Sequence, residues 1–223
     1  MHPNCRSTTQ LVLDEDYSQE TKYYGNSKEE APKLEEKEAP RISGVKQGKP
    51  MSWKEANSGN VNPNYLKGGG YNYNCQSCVA CFEARLRGYN ISALPYSKNN
   101  QAMQELSLNP TLAFKNAKII DSNANSKKEC IDWLNSIIKP NERYAFAHIN
   151  QYGGHISIAT KTKSGKLKLY DPQSGETKTS KILNGVIYEK LYKGEKINIP
   201  PRIFRTDNLE LDLDLFNKIS TKI

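Results

Sequence analysis

From Cys75 to Leu86 the apolar and small residues Cys75, Cys78, Val79, Phe82 and Leu86 recur at the spacing of one face of an α-helix. Gly88 supplies the stop, and Asn74, directly before the run, suits an N-cap. Cys75 therefore falls at the first helical residue. There the unsatisfied backbone N–H groups and the positive end of the helix dipole lower a thiol pKa. The approach to this helix, Asn57–Gly70, is rich in Asn and Gly and ends in Gly68-Gly69-Gly70, a flexible lead-in.

Downstream, a short segment at Ile91–Leu94 is followed by a Leu-, Asn- and Lys-rich region with a connector at Leu106–Phe114. A second helix is expected from Lys127 to Ile138, bounded by Pro140. Its Cys130, Ile131, Leu134, Ile137 and Ile138 share a face, which makes Cys130 a packed core thiol. The period then changes to that of strands at Arg143–Ile149, His155–Thr160 and Lys166–Asp171, with Arg202–Thr206 as a further strand. Gly153-Gly154 and Ser164-Gly165 split them. Helices first and antiparallel strands second is an α+β layout.

Hydrophobic residues make up 36% of the 223, enough for one modest core. No window approaches the roughly 18 consecutive apolar residues of a membrane span, and the N-terminus lacks the basic-then-apolar pattern of a secretory signal. From Asp14 to Pro50 the chain mixes Glu, Lys, Ser and Pro and cannot bury enough surface to offset the entropy of ordering. Residues 1–57 are thus expected to be a polar tail or linker and residues 58–223 the folded domain. A short solvated helix over Lys28–Glu38 is the alternative for part of the tail.

The formal charge is +8. Residues 1–50 are nearly balanced, so the excess lies in the folded part. Its lysines are scattered without an aromatic–basic cluster, which disfavours a dedicated nucleic-acid surface. Five cysteines, three of them crowded together, make a poor disulfide framework and suit a reducing compartment. Cys75, Cys78 and Cys81 resemble the start of an iron–sulfur run, but the fourth cysteine and the following proline are missing. Thiols three residues apart on one helix step about 60° around it and about 4.5 Å along it, and three of them converge poorly on a tetrahedral zinc. A redox Cys-x-x-Cys wants a preceding strand, where this chain has a Gly- and Asn-rich loop. No metal and no cofactor is expected.

Three histidines occur: His2 in the tail, His148 inside a strand, and His155 directly after the double glycine. A short turn at Ser164-Gly165 places His155 opposite Pro172–Ser174, beside Asp171. A carboxylate next to an imidazole fixes its tautomer and orientation, the third role in a nucleophile, base and orienter set. Read alone, Asp171-Pro172-Gln173-Ser174-Gly175 is a turn with a solvent-facing Asp, and His148 is a half-buried strand residue.

These blocks resemble a known family. Asn62-Pro63-Asn64-Tyr65, Asn74-Cys75-Gln76-Ser77-Cys78-Val79-Ala80, Glu83-Ala84-Arg85-Leu86-Arg87-Gly88-Tyr89, Gly153-Gly154-His155-Ile156, Asp171-Pro172-Gln173-Ser174-Gly175 and Arg205-Thr206-Asp207-Asn208-Leu209 are similar to the papain-fold toxin family of glutamine-deamidase type. The likeness spans about residues 60–210. It implies a papain-like fold with the catalytic helix packed on an antiparallel sheet. It implies a cofactor-free amidohydrolase in which Cys75 attacks a Gln side chain of a target protein, His155 is the base and Asp171 orients it. Asn74 or Gln173 would support the oxyanion beside the helix-start N–H groups. The family further implies a carrier polypeptide N-terminal to the toxin domain, action in the cytosol of a target cell, and an immunity protein in the producer. Asn-Cys-Gln-Ser-Cys also resembles a peptidase motif whose second cysteine is the nucleophile, so Cys78 competes with Cys75. A cysteine peptidase, a transglutaminase-type acyl transferase and, in another class, a non-catalytic basic binding module are the alternative activities.

Overall fold

A computed structural model describes residues 41–223 of the chain. The expectations for residues 1–40, including a helix over Lys28–Glu38, lie outside the described residues. In chain order the elements are β1 (Arg41–Ile42), β2 (Val45–Lys46), α1 (Ser58–Val61), α2 (Cys75–Leu86), β3 (Ile91–Ala93), α3 (Gln101–Leu108), β4 (Ile120–Asp121), α4 (Lys127–Ile137), β5 (Arg143–Asn150), β6 (Gly153–Lys161) and β7 (Leu167–Tyr170). They continue with α5 (Thr179–Asn184), β8 (Glu189–Tyr192), β9 (Glu195–Asn198), β10 (Arg202–Arg205), α6 (Leu213–Ile219) and β11 (Ser220–Lys222). Short 3-10 turns lie at Tyr65–Lys67, Gly69–Asn72 and Pro110–Ala113. The described residues thus form a mixed architecture of six helices and antiparallel sheets, in keeping with the α+β expectation.

The central sheet has five antiparallel strands in the order β4-β10-β5-β6-β7. Alternation along the strands divides its side chains between two cores. Ala145, Ile156, Ile158, Tyr170 and Phe204 pack with α2, whereas Tyr144, Phe146, Ala159, Leu169 and Ile203 pack with α4 and Leu183 of α5. The β6–β7 register sets Ile158 opposite Tyr170 and Thr160 opposite Lys168, as a short turn at Ser164-Gly165 requires.

Three expectations need correction. The packed unit begins before residue 58, because Arg41–Ile42 pairs with Val45–Lys46 and both Ile42 and Ala56 are fully buried. Isolated apolar residues in a polar stretch gave no periodic signal to show this. The region assigned to a connector at Leu106–Phe114 starts within α3, whose Ala102, Met103 and Leu106 face the core and whose Asn100 side chain caps Met103 N–H at 3.2 Å. Eight residues are too few to carry a clear period. Finally, α2 is not amphipathic: Cys75 through Arg85 are all buried, Gln76, Ser77, Glu83 and Arg85 included. The sheet, α1, α3 and α6 enclose it on every side.

Burying charge on α2 requires partners. Glu83 is fully buried and accepts two bonds from Arg143 of β5, Nε to Oε1 at 2.8 Å and Nη2 to Oε2 at 3.0 Å. Thr206 Oγ1 donates to the same carboxylate at 3.0 Å, and Arg87 lies 3.8 Å from it while also donating to the Thr206 carbonyl. Arg85 donates on the other side through Nη1 and Nη2 to Asn90 Oδ1 and the carbonyls of Ile91 and Glu55. The charged residues of the Glu83–Arg87 block therefore clamp α2 to β5 and to the loop after β10.

Candidate active site

The site lies where β7 stops short. β7 ends at Tyr170, opposite Ile158, so the edge of β6 is open at the level of His155. The turn Asp171–Glu176 crosses that gap, held by Gly175 N–H to the Asp171 carbonyl at 2.8 Å and Asp171 N–H to the Glu176 carbonyl at 2.9 Å. It carries two functional groups in opposite directions.

Toward the sheet, Asp171 Oδ2 stands 3.2 Å from His155 Nε2. The carboxylate also accepts from Ser174 Oγ at 2.5 Å and from Gln173 N–H at 2.9 Å. Asp171 is a turn residue, but at 6% exposure it does not face solvent. Burial alone would raise its pKa; His155 and the donors from Ser174 and Gln173 outweigh this and hold it below the usual carboxylate range. An Nε2–H directed at Asp171 makes Nδ1 the basic nitrogen of His155.

Toward the helix, the end of the Gln173 side chain meets the start of α2. One amide atom lies 3.0 Å from Cys75 N and 3.1 Å from Asn74 N, and two N–H donors facing it assign that atom as oxygen. Gln173 thus supports the site as an acceptor that caps the helix from outside, where a donor to an oxyanion was expected. Asn74 is displaced from its expected role too. It occupies the N-cap position with no side-chain cap bond; its Nδ2 donates to the Leu94 carbonyl at 3.0 Å and its Oδ1 accepts from Cys78 Sγ at 3.3 Å. Asn62 donates to the Gln173 carbonyl at 3.1 Å and the Tyr71 carbonyl at 2.9 Å. Asn62, Asn74 and Gln173, from three separate sequence blocks, so form one buried amide cluster around the first turn of α2.

The structure therefore brings together His155 with Asp171, and Gln173 with Asn74 and Cys75, and a single two-residue step along the chain joins the two groups. Cys75 is the first residue of α2 and Cys78 lies one turn in, its N–H already bonded to the Asn74 carbonyl. Both thiols are buried, as are Cys81 and Cys130. Burial pushes the Cys81 thiol far above its ordinary range and raises Cys130 to about 11, so neither is a thiolate near neutrality. Among the described residues no group of three or more His, Cys, Asp or Glu side chains is placed to hold a metal.

Sequence reasoning missed His148 as a member of the site. The two-residue loop between β5 and β6 sets it directly opposite His155, and its ring stands edge-on to that imidazole at 5.5 Å while stacking on Phe146. The Gln151-Tyr152-Gly153 turn was the signal that would have revealed this pairing. A cleft of about 1050 Å³ opens over both histidines, walled by Tyr65, Leu66, Tyr152, Ser174 and Ile187.

His148 makes a stability prediction. Burial first, then the neighbouring His155, lowers its pKa from 6.5 to about 3. The unfolded chain therefore binds a proton below pH 6.5 that the folded chain refuses, so stability is lost as pH falls from 6.5 toward 3. A single such proton contributes about 1.4 kcal/mol per pH unit. Urea midpoints at pH 7, 6 and 5 should fall more steeply in the wild type than in His148→Gln; parallel slopes would show that His148 is not held neutral.

The fold and site together define a class: an α+β domain with a thiol at the start of a buried helix and, on the sheet, an imidazole–carboxylate pair linked to that helix start through the Asp171–Gln173 turn. No protein-family model and no curated protein matches the chain.

Proposed function

We propose that this chain is a papain-like cysteine amidohydrolase that deamidates a Gln side chain of a target protein and acts as a toxin. The observation that carries this reading is the Asp171–Gln173 turn, which orients His155 at one end and holds the first residue of the Cys75 helix at the other. Cys75 Sγ, as thiolate, attacks the carboxamide carbon; His155 holds the thiol proton on Nδ1 and delivers it to the departing ammonia. A water, deprotonated by His155, then cleaves the thioester to leave Glu. The N–H groups of Asn74 and Cys75 open the helix that carries the thiol and are the oxyanion donors in this proposal, reached by the substrate oxygen when it displaces the Gln173 side chain. Asp171 keeps the Nε2 proton in place and stabilises the imidazolium. The natural setting in this proposal is the cytosol of a target cell, after delivery by an N-terminal carrier, with an immunity protein covering the cleft in the producer.

The product tests the reading. Incubating the purified chain with a target-cell lysate should yield substrate peptides in which a Gln has gained about one mass unit. Recovering only cleaved peptides would make the chain a peptidase, and recovering Gln–Lys cross-links an acyl transferase. The non-catalytic reading, in which the cysteines are structural, draws on the complete burial of Cys75. It requires Cys75→Ala to keep full toxicity.

A further inference from the structure

A second cleft, of about 1100 Å³, shares no lining residue with the one over the histidines, and the proposed chemistry does not use it. Five lysines line it: Lys127 from α4, Lys161 from β6, Lys166 and Lys168 from the β6–β7 hairpin, and Lys178 before α5. They are scattered in sequence, but the hairpin and the two helices gather them around one groove. No Asp or Glu lines it, and none of the five lysines lies within ion-pair distance of a carboxylate among the described residues. Lys166, Lys168 and Lys178 are exposed. The sixth cation, Arg143, is already neutralised by Glu83 and adds nothing.

The floor of the groove is apolar, formed by Ile131, Leu167, Leu169 and Leu183, and Trp53 stands at one end with its ring edge-on to Phe82 and Tyr170. Lys127 and Lys161 donate to Asn184 Oδ1 and to the Asn135 carbonyl, both neutral acceptors, and with no carboxylate in the lining the groove keeps a net positive charge that favours an anionic partner. A phosphate backbone would satisfy the lysines and leave the aliphatic floor uncovered. A polypeptide carrying carboxylates beside apolar side chains satisfies both the lysines and the floor.

We infer that this lysine-rimmed groove is a docking site for an acidic polypeptide segment with interspersed apolar side chains, separate from the cleft over His155. The test uses the full chain and three labelled probes of equal length: a peptide alternating Glu and Leu, poly-Glu, and oligo-dT. Fluorescence anisotropy should rank the alternating peptide tightest, with affinity falling as salt rises. Lys166→Glu/Lys168→Glu should weaken that binding at least tenfold, with the thermal midpoint and the rate of Cys75 alkylation unchanged because both lysines are exposed and outside the histidine cleft. The inference is overturned if oligo-dT binds as tightly as the alternating peptide, if poly-Glu matches it, if no probe binds, or if the double variant binds unchanged. Each of these outcomes is independent of whether the chain deamidates its target.

Discussion

Cys75→Ala is expected to lower the deamidation rate by about four orders of magnitude or more, the scale on which covalent catalysis collapses when its nucleophile is lost. Cys78→Ala should keep most of the rate and lose a little stability, since it removes a sulfur packed one turn inside α2. His155→Ala should fall as far as Cys75→Ala, and the double variant no further, because the pair acts as a unit. Asp171→Asn should also be severe. An amide in place of the carboxylate at 3.2 Å no longer stabilises the imidazolium and admits the wrong tautomer. The independent measurement is alkylation of each cysteine against pH, read by peptide mass spectrometry. Cys75 should react at and below neutrality and slow in His155→Ala. If Cys78 shows that behaviour, the nucleophile is misassigned; if every cysteine reacts slowly, no thiolate–imidazole pair exists.

The second large effect is on stability. Glu83→Ala removes the fully buried carboxylate that Arg143, Arg87 and Thr206 share and leaves two partly buried guanidinium groups with Asp207 as the remaining acidic neighbour. Breaking a buried ion pair from one side costs about 3–5 kcal/mol, a large part of the stability of a domain this size. With a urea slope of about 2 kcal/mol/M, the midpoint should fall by about 1.5–2.5 M. Arg202→Ala is the matched comparison: its pair with Asp121 is more than half exposed on both sides and should contribute little. A Glu83→Ala midpoint close to that of Arg202→Ala would show that the clamp on α2 is not energetically important.

The chain's own residues set much of this in advance. The period of Cys75, Cys78, Val79, Phe82 and Leu86, with Gly88 behind it, marked α2 to the residue. The switch to period two marked β5, β6, β7 and β10, and the Ser164-Gly165 turn set the β6–β7 register that brings the residues after Tyr170 beside His155. These are local signals: spacing, stop residues and turn chemistry act between neighbours and leave a pattern one can count. The elements that escaped, the helices α1, α3, α5 and α6 and the strands β1, β2, β4, β8, β9 and β11, are each eight residues or fewer, too short to leave a clear period.

Only the tertiary structure decided what the polar residues do. Asn74 stands at the N-cap position but makes no side-chain cap bond, because the end of the Gln173 side chain, 99 positions away, meets the N–H groups there and the Asn74 amide turns to Leu94. Glu83 and Arg85 look like the solvated face of an amphipathic helix and are buried, since their partners on β3, β5 and the loop after β10 are distant in sequence. The lysines read as scattered until the β6–β7 hairpin and the flanking helices draw them around one groove. Hydrophobic periodicity is a property of the local chain, whereas a hydrogen bond or an ion pair needs a second atom at a fixed distance, and only the folded chain supplies it.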